Sequence, residues 1–231
     1  MTRMGFLSFT LLATLTAGCV SERATDRDTT SSQSATAGTS GAAVVDRRVV
    51  DEDPVSQDAK DFIEYISTVD LAEVELGKLA AERGSADGVK QFARMMVNDH
   101  TASGDKLKTL ASSLGLKASG DLDAKHRDER EKLAGRSGDD FDRAYASAMV
   151  EGHKDLIEHL EPRIEKKGLD QWKDAKATTG AAPVAIQPDP SDNATIMRVN
   201  RFAADIYPTV YAHLESARAL ENSLEKRDSK P

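Results

Sequence analysis

The sequence predicts an all-α protein: four long amphipathic helices form an antiparallel bundle, with a short extra helix between helices two and three and a disordered tether in front. Three observations support this class. Apolar residues recur with the 3.6-residue helical period in four segments of about 25 to 30 residues. No segment alternates with period two for long enough to indicate a strand. Aromatic residues are scarce, at 5%, which favours helix over sheet.

The N-terminus has the layout of a secretory signal. Arg3 precedes an apolar run from Phe6 to Leu15, and small residues then lead to Cys19, the single cysteine of the chain. This run is shorter than the ~20 apolar residues that a spanning helix needs. The small residues resemble a bacterial lipobox, which predicts lipidation of Cys19. An ordinary cleaved signal and an uncleaved anchor are the alternatives. The residue after Cys19 is Val20 and not Asp, which would favour retention in the inner membrane. Val20 therefore favours transfer to the outer membrane, with the domain facing the periplasm.

The chain after the signal divides into a tether and a folded domain. Residues 20–55 are rich in Ser, Thr, Ala, Gly and charge, and they cannot bury enough apolar surface to offset the entropy of ordering. The predicted organisation is therefore a lipoprotein signal peptide at 1–19, a disordered linker at 20–55, the bundle at 56–224 and a disordered tail at 225–231.

The first half of the bundle is predicted from caps and periodicity. Ser56 is a plausible N-cap, and the first helix ends near Gly84. The second helix runs from about Ala86 to Leu114 and is ended by Gly115. A short polar helix is expected over residues 119–134.

The second half repeats this arrangement. The third long helix starts near Asp139 and is kinked or ended by Pro162, with Gly168 as a firm stop. A proline-rich loop covers residues 178–193. The last helix runs over residues 194–224 with Pro208 inside it, which removes one backbone hydrogen bond.

Ligand-type side chains interrupt the apolar stripe of each long helix. At 100° per residue Glu73, His100, His153 and His213 fall on or near the stripes of helices one to four. With a rise of ~1.5 Å per residue, all four can reach one mid-height layer. Asp99 is a candidate supporting group beside His100.

Three interpretations of this layer stay open. The first is a transition-metal site for iron, zinc, copper or manganese, with Glu73 and the three imidazoles as ligands. The second is a polar core layer in which Glu73 pairs with histidines without a metal. The third is a shifted register that turns His153 toward solvent. A standard di-iron centre is disfavoured because the chain contains no Glu-x-x-His motif.

Four segments resemble a known family. They are AEVELGKLA (72–80), VKQFARMMVNDHTAS (89–103), FDRAYASAMVEGHKDLIEHLE (141–161) and AHLESARAL (212–220). They are similar to the bacterial domain of unknown function 4142 family, whose members are generally exported and often described as outer-membrane proteins. The resemblance implies a ferritin-like bundle but supplies no activity, since the family has none established. Family members commonly carry Glu, Asp-His, His and a late His at positions matching Glu73, Asp99-His100, His153 and His213.

The expected function is therefore a lipid-anchored envelope module that binds a metal or a protein partner, with a possible role in stress. A ferritin-like redox enzyme using iron or manganese and a purely structural interaction domain are the rivals. The net charge of −8 argues against nucleic-acid binding. The predicted membrane contact is the lipid on Cys19.

Overall fold

The computed structural model describes residues 54–179 and 185–228. Within these ranges the backbone forms six α-helices and one 3₁₀ turn, and no β-strand: α1 (Gln57–Arg83), α2 (Asp87–Ser113), α3 (Ala124–Ala134), α4 (Gly138–Leu160), the turn (Glu161–Arg163), α5 (Lys166–Thr179) and α6 (Ala194–Asp228). The predicted all-α class is confirmed. The predicted signal peptide, Cys19 and nearly all of the predicted linker lie outside the described residues.

The first hairpin of the bundle begins and turns where its sequence predicts. The Ser56 side chain accepts a hydrogen bond from the Ala59 backbone N–H at 3.2 Å and so caps α1. A turn of three residues joins α1 to α2, which makes the two helices antiparallel neighbours. Gly77 permits their close approach, since a Cβ at this position would lie 2.9 Å from a Val97 methyl carbon.

The segment after α4 differs from the prediction. α4 ends at Leu160, and Pro162 lies in the 3₁₀ turn, as expected for a residue without a backbone donor. Gly168, however, does not stop the helical structure: α5 contains it. The chain is therefore helical beyond Gly168 as far as Thr179, and Trp172 anchors this helix by packing edge-to-face on Tyr207, with ring centroids 5.6 Å apart.

The last helix is longer than predicted. α6 runs to Asp228 through Pro208, so residues 225–228 belong to the helix and not to the predicted tail. Leu224 explains part of this extension, since it is only 3% exposed and keeps the end of α6 against the core. Before α6, the backbone of Arg163 and Glu165 pairs with Asp189 and Gln187 and fixes the loop.

The four long helices surround one hydrophobic core. α1 packs mainly on α2 and α4 mainly on α6, and contacts of α2 with α6 and of α1 with α4 close the bundle. α3 contacts α1 and α4 from outside. Among the described residues, no helix has the length and apolar character required to cross a membrane.

Candidate metal centre

Three histidines from three different helices meet in the core. His100 on α2, His153 on α4 and His213 on α6 are each at most 3% exposed. Their ring centroids are 5.4 to 5.6 Å apart. Each residue offers one ring nitrogen, and these three nitrogens lie within 4.8 Å of one another. Of the described residues, these three form the one group whose ligand atoms are close enough to share an ion.

The apolar neighbours of each histidine explain why it faces inward. Each histidine follows a buried apolar residue by three or four positions, which is one helical turn. These residues are Met96 before His100, Met149 before His153 and Val210 before His213, all at most 4% exposed. Burying these side chains carries the imidazoles into the same layer, and the alternative register with His153 in solvent is not observed.

The second nitrogen of each imidazole is held by an oxygen atom. The three contacts are His100 Nδ1 to Asp70 Oδ1 at 2.8 Å, His153 Nδ1 to the Met149 carbonyl at 2.8 Å, and His213 Nε2 to Asp99 Oδ2 at 2.9 Å. A carbonyl only accepts, so His153 must carry its proton on Nδ1. Asp70 and Asp99, when ionised, also only accept and impose the matching tautomers on His100 and His213. Such outer contacts orient histidine ligands and raise their basicity in metal sites.

The remaining nitrogens are buried and have no hydrogen-bond partner among the described residues. These open nitrogens are His100 Nε2, His153 Nε2 and His213 Nδ1. With Asp70 and Asp99 ionised, all three carry lone pairs, and lone pairs cannot bond to each other. Buried polar atoms of native proteins are nearly always satisfied. A cation between the open nitrogens would satisfy all three at once.

The environment keeps His100 and His153 neutral. Burial lowers the pKa of His100 to about 3, and the neighbouring His213 adds to this effect. Burial likewise lowers the pKa of His153 to about 3, with contributions from His100 and His213. Burial also raises the pKa of Asp70 to about 7. Neutral imidazole is the form that binds a metal ion.

Asp70 is the functional residue that the sequence analysis missed. Its side chain is 5% exposed, and it is the partner of His100. A signal was available, because Asp70 lies one turn after the fully buried Ile66 and one turn before Glu73. An acid at such a position needs a partner in the core. Gly104 on α2 lies beside this carboxyl, and a Cβ there would meet Asp70 Oδ2 at an ordinary van der Waals distance of 3.9 Å.

Glu73 occupies a different position from the one expected. Its Oε1 lies 3.8 Å from His153 Nδ1, the nitrogen that already bonds to Met149. Glu73 therefore lies beside the Nδ1 atom of His153, which already has a hydrogen-bond partner, and outside the group of three open nitrogens. Its Oε2 has no hydrogen-bond partner among the described residues. Gly152 makes space for the carboxyl, because a Cβ there would lie 3.1 Å from Glu73 Oε1.

Asp99 lies beside the cluster, although it contacts a different imidazole from the one adjacent in sequence. It contacts His213 across the α2–α6 interface, while its own side chain is 42% exposed. A cavity of about 140 Å³ lies at this interface and is lined by buried His100 and His213 and by exposed Lys106 and Asp205. The cavity thus connects the cluster with the protein surface, and an ion could reach the open nitrogens by this route.

Together these features define a helical domain: an antiparallel four-helix bundle with a buried cluster of three imidazoles. The chain belongs to the family described as domain of unknown function (DUF4142), whose model matches residues 46–185. The matched range includes His100 and His153 and ends before α6, which carries His213.

A solved structure shares the fold. The chain is similar to the crystal structure of a DUF305 fragment from Deinococcus radiodurans, with a TM-score of 0.52 and 14% sequence identity. The similarity covers 75% of this chain and 99% of the fragment. At this identity the likeness shows the helical fold alone. Among curated proteins, none matches the chain.

Proposed function

We propose that this protein is a lipid-anchored envelope module that binds one transition-metal ion between His100, His153 and His213. The observation that carries the proposal is the set of three buried open nitrogens, each on an imidazole whose other nitrogen is held by oxygen. A polar layer with a structural role alone would satisfy its polar atoms within the protein. Here three such atoms stay open, on imidazoles whose ring centroids are 5.4 to 5.6 Å apart.

The donor set favours particular ions. Three imidazoles suit zinc and copper, whereas manganese prefers oxygen ligands. Asp70 and Asp99, when ionised, contribute two negative charges next to the cluster and would balance a divalent cation. Bonds of about 2.0–2.1 Å to zinc require the nitrogens to lie roughly 3.3–3.6 Å apart, so the cluster would contract slightly on binding.

A fourth coordination position would remain for water or another small ligand. The open cavity between α2 and α6 adjoins His100 and His213 and supports this access. Zinc sites with three protein ligands and a water are typical of catalysis. We propose metal binding without a named reaction, because the described residues around the cluster do not define one.

Metal titration of the full chain tests the proposal, and the sequence provides good controls. The Cys19→Ser background removes the single thiol, which would otherwise bind metals itself. Equilibrium dialysis against zinc and copper should give one ion per chain. Each of His100→Ala, His153→Ala and His213→Ala should weaken binding at least 100-fold, since three ligands become two. His126→Ala, which changes a histidine outside the cluster, should bind as the parent does. Equal losses in His126→Ala, or no binding by the parent, would refute the proposal.

The envelope location rests on the N-terminal sequence. Small residues before Cys19 follow an apolar run, which is the pattern of a lipidated exported protein. Cys19→Ser should abolish acyl labelling and partitioning into detergent, while metal binding by the domain persists. Unchanged partitioning would rule out the lipid as the anchor. A role of the metal in envelope stress would follow only if the protein is shown to load metal in the cell.

A further inference from the structure

A second cavity lies at the end of the bundle where α1 begins and α4 ends. Its volume is about 700 Å³, within the usual range of small-molecule sites. We call it the acidic cleft and define it by Asp61, Tyr65, Glu158, Asp189, Ile196 and Asn200, which line it. It shares no lining residue with the cavity beside the three histidines.

The charge of the acidic cleft is negative. One lining carboxylate, Asp58, is neutralised by Arg163 through two hydrogen bonds of 2.7 Å. Within the described ranges, no lysine or arginine lies in ion-pair distance of Asp61, Glu158 or Asp189. Three carboxylates therefore face one cavity without a paired cation, which favours a positively charged ligand.

Asn200 provides an independent sign of a binding site. The residue is 3% exposed and lines the acidic cleft. Its Nδ2 donates to the Asp189 carbonyl at 2.8 Å, which fixes the orientation of the amide. The Oδ1 atom is consequently a buried acceptor with no partner among the described residues. A donor from a ligand would satisfy it.

The walls between these acceptors are apolar and aromatic. Tyr65 stacks on His159 with ring centroids 3.8 Å apart, and Ile196 of α6 adds an aliphatic side chain to the lining. Burial, Asp155 and Glu158 raise the pKa of Tyr65 to about 12, so the ring stays neutral beside these acids. Methylene groups could pack on such walls, and an ammonium group near an aromatic face gains further attraction.

The spacing of the acids distinguishes between cations. Among the described residues, the three histidines are the one group of three or more ligand-type side chains with atoms within 4.8 Å of one another, so Asp61, Glu158 and Asp189 do not jointly surround one ion. We propose that the acidic cleft binds a linear polyamine, an aliphatic chain carrying several protonated amines. Its separate ammonium groups would meet Asp61, Glu158 and Asn200 Oδ1, and its methylenes would cover the walls.

Calorimetric titration of the full chain with spermidine tests this site in 150 mM salt, where long-range attraction is screened. We expect saturable binding of one spermidine per chain. Glu158→Gln removes an exposed acid of the cleft and should weaken binding about tenfold, as loss of a charge-assisted hydrogen bond would. Glu82→Gln makes the same change on an exposed position of α1 outside the cleft and should leave the affinity unchanged.

A third variant and a competitor complete the test. Asn200→Val should also weaken spermidine binding. If this substitution of a buried residue impairs folding, the exposed Glu158→Gln variant still tests the site. His153→Leu should bind spermidine normally, which separates this site from the metal centre. The proposal is overturned if binding does not saturate, if Glu82→Gln weakens it as much as Glu158→Gln, or if an equal concentration of Mg²⁺ displaces spermidine.

Discussion

His100 Nδ1 lies 2.8 Å from Asp70 Oδ1, and this contact leaves Nε2 as the open nitrogen of a ring whose centroid is 5.6 and 5.4 Å from those of His153 and His213. Both residues are buried, with side chains 3% and 5% exposed. The carboxylate thus holds the ring in the tautomer and orientation of a metal ligand.

Removing the Asp70 charge should therefore weaken metal binding without removing a ligand. For Asp70→Asn we expect about a 10- to 100-fold loss of zinc affinity, the usual effect of losing such an outer partner. Competition with a coloured chelator measures it. Asp99→Asn should have a smaller effect, because Asp99 is 42% exposed and more strongly screened by water. An exposed control, Asp105→Asn, should have none. Equal affinities of Asp70→Asn and the parent would contradict this role.

Replacing one histidine by an apolar residue separates a metal site from a structural polar layer. His153→Leu removes a buried nitrogen that lacks a partner, and Leu fills a similar volume. The free energy of unfolding of the metal-free protein should stay equal or rise, since an unsatisfied polar atom is lost. Thermal stabilisation by zinc, which depends on affinity for the folded state, should disappear.

The neighbouring Leu156 serves as a control for this variant. Leu156 is 1% exposed, and Leu156→Ala should cost about 2–5 kcal/mol. A comparable loss in metal-free His153→Leu, measured by urea unfolding, would show that the imidazole supports the core without any metal.

The stability of the metal-free protein should depend on pH through Glu73. Burial, together with Glu129 and Asp70, raises the pKa of Glu73 to about 8 from 4.5. A raised carboxyl pKa favours the folded state fully below pH 4.5, and this contribution is lost as pH rises through 8. The free energy of unfolding should thus fall more steeply from pH 5 to 8 in the parent than in Glu73→Gln. Exposed Glu64→Gln should follow the parent, and parallel curves for Glu73→Gln would contradict the assignment.

The helix α5 should contribute to stability through Trp172. Trp172 is 2% exposed, and its ring packs edge-to-face on Tyr207 and Tyr211 at 5.6 and 5.1 Å. Trp172→Ala should lower the free energy of unfolding by about 3–5 kcal/mol, as large truncations in cores do. Trp172→Phe should lower it less, because part of the ring packing remains. Urea unfolding measures both, and a cost below about 1 kcal/mol for the alanine variant would mean that α5 is peripheral.

The bundle could be predicted from the sequence because its signals are local. The cap at Ser56, the stop at Gly84 and the apolar period of each long helix together define where the helices lie. α5 was missed because Gly168 indicated an end and the segment is short. Packing of Trp172 against α6, a contact distant in sequence, decides its structure.

The candidate site was predictable in its residues but not in its geometry. Periodicity predicts that His100, His153 and His213 face inward. A helix face is several ångströms wide, however, so periodicity cannot decide which side-chain atoms lie close together. Glu73 was therefore expected beside the open nitrogens, whereas it lies 3.8 Å from the held nitrogen of His153. The position of Asp70 between Ile66 and Glu73 indicates burial, but only the contact with α2 shows that its partner is His100.

Anomalous X-ray diffraction from crystals grown with zinc tests the central claim most directly. We expect one strong anomalous peak between His100 Nε2, His153 Nε2 and His213 Nδ1, at about 2.0–2.2 Å from each. A structure with no peak there, in which the three nitrogens are bridged by water or bonded to protein groups at the same zinc concentration, would contradict it.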